Sequence, residues 1–165
     1  MLRQLKSEGM SLLLVEQNAR DAGALSLGVL GKVLGYHIAQ AAVTTVALFE
    51  QHVGRPHGLR KVEYSMLLLL LANAPLSPKR LAQALKLSAP SLSLLLDRLQ
   101  DRGLLRRERS QVDRRSQNIV LTVQGGRIAR ASAASAEPME RELLDRLSPA
   151  EHAMLIELLR KVAGQ

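Results

Sequence analysis

Apolar positions change period twice between residues 77 and 125, and the change divides the middle of the chain into two short helices followed by a hairpin. Ser77-Pro78 opens the first helix, with Leu81, Ala82 and Leu85 on its inner side. A four-residue turn, Lys86 to Ala89, with an apolar knuckle at Leu87, leads into the second helix and completes a helix-turn-helix. Ser88 caps the second helix, because its hydroxyl can accept a bond from an otherwise unpaired N–H. Pro90 sits in the first turn, where a missing N–H costs nothing. Leu92, Leu95, Leu96 and Leu99 recur at three- and four-residue spacing and form one face, leaving Ser91, Ser93 and Arg98 available elsewhere. Gly103 closes the helix. Leu104 to Arg109 and Ser116 to Thr122 are then β-compatible runs around a polar tip that includes Asp113 and Arg114, so a two-stranded wing is predicted.

On either side of this block the pattern is helical. From Leu27 to Val53, Leu30, Leu34, His37, Ala41, Val46, Leu48 and Phe49 recur near the helical period, giving more apolar surface than one small domain can cover. Gly54, Arg55, Pro56, His57 and Gly58 read as a loop, and Val62, Met66, Leu69 and Leu70 as the buried face of a helix ended by Asn73-Ala74-Pro75. After Gly125-Gly126, Ile128 to Ala136 favours helix, with a break at Glu137-Pro138. Ser148-Pro149-Ala150-Glu151 is a capping box, and Met154, Leu155, Leu158, Leu159 and Val162 give the helix it starts a broad apolar face. Residues 1–25 are less regular. The string LLLVEQNAR (12–20) is similar to the switch segment of ATP-binding subunits from branched-chain amino acid transporters, but no GxxxxGK[ST] loop accompanies it, so ATP hydrolysis does not follow. An N-terminal extension that packs on a partner subunit or is partly disordered is the expectation there.

Charge adds a partner to this outline. Lys and Arg outnumber Asp and Glu 23 to 15, a formal net charge of +8, and Arg106, Arg107, Arg109, Arg114 and Arg115 fall within ten residues. Such a ribbon repels itself unless a polyanion is near; the bland alternative is a solvated ribbon partly neutralised by Glu108 and Asp113. With only 2% aromatic residues the chain is poorly equipped to stack unpaired bases, which favours duplex DNA over single strands or RNA. The absence of cysteine excludes disulfides, thiolate metal sites and thiol redox switches. No signal peptide is evident and the longest apolar run, Met66 to Ala72, is far short of the about 20 residues that cross a bilayer, so a cytoplasmic protein without membrane contact is expected. His37, His52, His57 and His152 are dispersed without a matching carboxylate set, so neither a metal nor another cofactor is expected. No HExxH, GxSxG or dinucleotide loop is present, which argues against an enzyme.

Gly103-Leu104-Leu105 with Arg107 two residues on, then Asp113-Arg114-Arg115, Ile119, Leu121-Thr122 and Gly125, resembles the winged helix-turn-helix signature of the MarR family of bacterial transcriptional regulators. The resemblance runs from about Leu27 to the C-terminus and is most specific in DRRSQNIVLT, residues 113–122. It implies a mainly α fold with a small two-stranded β wing, dimeric through N- and C-terminal helices. The domain plan is then an extension at 1–25, a dimerisation helix and loop at 26–58, a winged helix-turn-helix DNA-binding domain at 59–125 and C-terminal dimerisation helices at 126–165. Two departures stand out. Arg60 replaces the Thr that usually caps its helix, and Leu94 occupies a position that is often polar or basic in the family, which thins direct base readout.

The candidate DNA-binding residues are Ser88, Pro90, Ser91, Ser93, Arg98, Arg107, Arg114 and Arg115. The serines can bond phosphates or base edges, Pro90 can touch a thymine methyl, and Arg98 is placed for phosphate. Arg114 or Arg115 can enter a narrow minor groove. Arg114 is favoured for that role, with Arg115 pairing with Asp113 to stabilise the wing. His37, on the stripe where family members often form an effector pocket, is the leading contact for a small anionic or aromatic effector. The expected function is a homodimeric repressor on a palindromic operator in double-stranded DNA, released by such an effector. Two alternatives stay open: an architectural DNA-binding protein without effector, and an interaction module whose basic wing meets an acidic protein.

Overall fold

Serine caps and first-turn prolines set the helix starts in the computed structural model of the chain, which describes residues 25–109 and 117–164. The chain divides into two units, Met1–Ala42 and Val43–Gln165. The described part of the first unit holds a 3-10 turn, Gly28–Lys32, and the start of helix α1, Leu34–Phe49. The single helix expected over residues 27–53 is therefore interrupted: Val33 is extended and hydrogen-bonds back to Leu30 before α1 begins.

The second unit contains the winged helix. Helices α2 (Lys61–Asn73), α3 (Pro78–Leu85) and α4 (Ala89–Asp101) are followed by strands β1 (Leu105–Arg109) and β2 (Gln117–Leu121), then by α5 (Val123–Ala134), α6 (Ala136–Leu144) and α7 (Pro149–Val162). Ser77 and Ser88 cap α3 and α4 by accepting the N–H of Arg80 and Ser91, each with proline in the first turn. The strands pair antiparallel with Leu105 opposite Leu121 and Arg109 opposite Gln117. Leu76 exchanges both backbone bonds with Ile119, adding a one-residue bridge at the edge of the wing.

One core unites these elements. The apolar face expected of α4, Leu92, Leu95, Leu96 and Leu99, packs with Met66, Leu67, Leu70, Leu76, Leu81, Leu104, Leu105 and Ile119, all buried. Each such side chain contributes about 1.5–3 kcal/mol by leaving water, which is what holds short helices that would be marginal alone.

Four boundaries differ from the sequence reading, each for a local reason. Residues 54–58 are helical up to His57 rather than a loop: α1 passes into a π turn, Glu50–Gly54, and then a short α segment, Arg55–His57. The π turn has already moved the hydrogen-bond ladder out of register, so Pro56, in the first turn of the new segment, breaks nothing. The chain leaves at Gly58, whose φ of 61° is left-handed. Between α3 and α4, Lys86 takes the left-handed C-cap position (φ 51°) and α4 already begins at Ala89, so the turn is one residue shorter than expected.

The glycine pair lies inside α5 instead of preceding it. Thr122 caps that helix by accepting the N–H of Gly125 at 2.9 Å, and a Cβ on Gly125 would fall 1.7 Å from the Leu104 carbonyl oxygen. Glycine is there because the helix touches backbone. Finally, α5 and α6 part at Ser135, which leaves Pro138 within the first turn of α6.

Candidate nucleic-acid interface

Burial of one leucine face turns the opposite side of α4 to solvent. Ser88, Pro90, Ser91 and Ser93 are all exposed along its N-terminal half, together with Leu94 at 68% exposure. The Ser88 hydroxyl serves the helix twice, accepting the Ser91 N–H at 3.3 Å and donating to the Ser91 hydroxyl oxygen at 2.9 Å. Ser91 and Ser93 thus offer exposed hydroxyls from the N-terminal half of α4, toward the positive end of the helix dipole.

Strand pleating sorts the basic residues of the wing. Arg106 and Glu108 share one face and pair with each other, at 2.7 Å between Nη2 and Oε1. Leu105, Arg107 and Arg109 share the other, on which Leu105 is buried. Arg107 lies against α4: its Nη2 is 2.5 Å from Asp97 Oδ1 and its Nη1 donates to Gln100 Oε1 at 3.3 Å. It braces the wing on the helix, so a phosphate must compete with Asp97 for it. Arg109, at the end of the same face, has no ionic partner among the described residues.

Arg98 lies one turn before the end of α4, with Nη1 3.7 Å from Glu63 Oε1. Glu63 is buried at 1% exposure and was not singled out by the sequence, where a glutamate in an apolar helix reads as a solvated position. The available signal was spacing: Glu63 is the third residue of α2, and its carboxylate accepts the Arg60 backbone N–H at 2.9 Å. The missing Thr cap is thereby offset from the other half of the capping box. Asp113, Arg114 and Arg115 lie outside the described residues.

Between α3, α4 and the wing a cleft of about 670 Å³ is lined by Pro78, Lys79, Ser93, Asp97, Arg107 and Gln117 among others, so two candidate residues, Ser93 and Arg107, border one concavity. His37 belongs to the first unit; it is exposed, hydrogen-bonds the Gly31 carbonyl oxygen through Nε2 at 3.0 Å and meets Tyr36 edge-on. The other histidines contact His52–Glu142 (2.7 Å), His57–Ser135 (3.1 Å) and His152–Glu140 (3.6 Å). No cluster of three or more His, Asp or Glu suited to a metal occurs among the described residues. No helix among them is long and apolar enough to cross a membrane.

Comparison with known proteins agrees with this geometry. The MarR family model matches residues 57–116, which span α2, α3, α4 and β1. The chain is 30% identical over 119 residues, 70% of its own length and 88% of the relative's, to the transcriptional regulator HosA of Escherichia coli O157:H7. Among solved structures it is similar to the transcriptional repressor CouR bound to a 23-mer DNA duplex, with 33% identity, a TM-score of 0.76 and coverage of 86% of this chain and 99% of that one. It is also similar to CouR bound to p-coumaroyl-CoA, with 30% identity, a TM-score of 0.74 and coverage of 84% and 97%.

Proposed function

From the premise that this chain belongs to the MarR family of transcriptional regulators, and is not an enzyme, we propose that it is a homodimeric cytoplasmic repressor of a palindromic operator. The observation that carries this reading is the exposed N-terminal half of α4, with Ser88, Pro90, Ser91 and Ser93 turned outward beside the arginine-bearing wing. In the major groove the serines bond phosphates or base edges, while Arg107 reaches phosphate by exchanging its carboxylate partner. Arg114 enters the flanking minor groove and Arg115 pairs with Asp113. Two copies reading two half-sites about one helical turn apart convert two modest affinities into one tight, site-specific complex.

A small anionic or aromatic effector then releases the operator by changing the separation of the two α4 helices. The similarity to a repressor seen with both a DNA duplex and an aromatic acyl-CoA supports this part of the reading. His37, exposed and with its Nε2 hydrogen-bonded to the Gly31 carbonyl oxygen, is its proposed contact. Leu94 favours a second reading, an architectural protein without effector, because a leucine facing the groove gives only apolar contact.

Selection of bound sequences from a random duplex pool tests the first reading: enrichment of an inverted repeat supports it, and retention on heparin without enrichment points to an acidic protein partner instead. A gel-shift scan of small organic acids separates sensor from architectural protein, since only the sensor releases DNA.

A further inference from the structure

The only buried ionisable side chain among the described residues is Glu63, and the groups around it come from the start of α2 and the foot of α4. Its Oε2 accepts the Arg60 N–H (2.9 Å) at the start of α2 and Arg102 Nη1 (3.0 Å) just past the end of α4. Its Oε1 lies 3.7 Å from Arg98 Nη1 on the last turn of α4. Arg102 also donates through Nη2 to the Gly58 carbonyl oxygen (2.9 Å), at the left-handed residue where the α1 extension ends. A carboxylate sheltered from water is costly unless its lone pairs are filled, and here the filling groups tie the foot of α4 to both α2 and Gly58.

The rest of the α4 contact lacks directional information. Its buried face is four leucines, Leu92, Leu95, Leu96 and Leu99, which reward burial but discriminate weakly between rotations of the helix about its axis. Hydrogen bonds with a fixed fork geometry do discriminate. From Arg102 to the serines at the head of α4 is about 20 Å along the helix, so a swing of about 3° moves the serines by about 1 Å. That displacement exceeds the tolerance of a hydrogen bond.

We infer that Glu63 is a positioning residue for DNA recognition: with Arg98 and Arg102 it pins the foot of α4, sets the aim of the serine-bearing end, and holds both arginines in structural rather than phosphate-contacting roles. This rests on the DNA-binding reading above, and the test separates the two.

The test compares Glu63→Gln, Arg98→Gln and Arg102→Lys in the full-length protein. Hydrogen exchange across α4, which requires no DNA, is expected to rise in Glu63→Gln and Arg102→Lys relative to α2 and α5. On a selected operator each variant is expected to bind at least about tenfold more weakly, with affinity for random duplex unchanged and with the wild-type slope of log affinity against log salt. Loss of about one phosphate equivalent of slope in Arg98→Gln, with Glu63→Gln binding as wild type, would overturn the inference in favour of direct contact. So would unaltered α4 exchange. If Glu63→Gln does not fold, Arg102→Lys, which keeps the charge but loses the fork to Gly58, decides alone. Wild-type protein that ignores all duplexes overturns the DNA reading and with it this role for Glu63, while the exchange data still report whether the pin exists.

Discussion

Helices α4 and α7 are written in nearly the same local grammar and end in opposite environments. Each starts at a serine that accepts a backbone N–H, has proline in its first turn, and carries four or more large apolar residues over thirteen or fourteen positions. Yet α4 buries Leu92, Leu95, Leu96 and Leu99, whereas α7 buries nothing: Leu155 is 44% exposed and Leu158 51%. Propensity and capping are satisfied in both, so the difference lies in tertiary packing. The winged domain closes its own core, while α7, like the exposed Val29, Leu30, Leu34 and Ile38 of the first unit, presents apolar surface that a single chain leaves wet. A second copy is the simplest cover, and that is the physical basis of the dimer proposed here.

The contrast can be broken most forcefully by truncating one leucine on each helix. Leu99→Ala removes a fully buried side chain and is expected to cost about 2–5 kcal/mol in urea unfolding at any protein concentration. Leu155→Ala is expected to change stability only through the concentration dependence of the melt; an equal loss in both, independent of concentration, would mean that α7 packs on its own chain. Next in size, Leu155→Glu with Leu159→Glu is expected to give a monomer by sedimentation and to lower operator affinity at least about 100-fold through lost bivalency, with the winged domain still folded by circular dichroism.

Smaller effects sharpen the comparison. Ser88→Ala and Ser148→Ala remove equivalent caps, and each is expected to cost about 1 kcal/mol in thermal melts. Ser88→Ala should also weaken DNA binding directly, because α4 is the helix proposed to meet the duplex. The mildest effect concerns Tyr64. Burial, assisted by the Glu140 charge, pushes its phenol above the ordinary 10.0. The folded state therefore holds that proton more tightly than the unfolded chain, and the associated stability is complete below the ordinary value and lost as pH rises through the folded one. Urea melts from about pH 9 to about pH 11 should show an alkaline decline that is shallower in Tyr64→Phe.

Much of this was legible because the signals are local. The serine caps at 77, 88 and 148, the leucine spacing of α4, the left-handed glycine at 103 and the hairpin each depend on a few neighbouring residues. What escaped was tertiary. Gly125 reads as preceding a helix until the Leu104 carbonyl is seen against it, and Pro56 reads as part of a loop until the π turn before it is known. Nothing in the sequence pattern singles out Glu63 or Asp97, although each serves an arginine that pattern alone would send to the DNA. An isolated sequence shows that a position is charged, while only the fold shows which opposite charge already claims it.

The most direct test of the paired-protomer mechanism is operator affinity measured while the spacing between two half-sites is varied one base pair at a time. The expected result is a sharp maximum near one helical turn, with two chains bound in a single cooperative step. Affinity that is flat with spacing, with chains adding independently to each half-site, would contradict it.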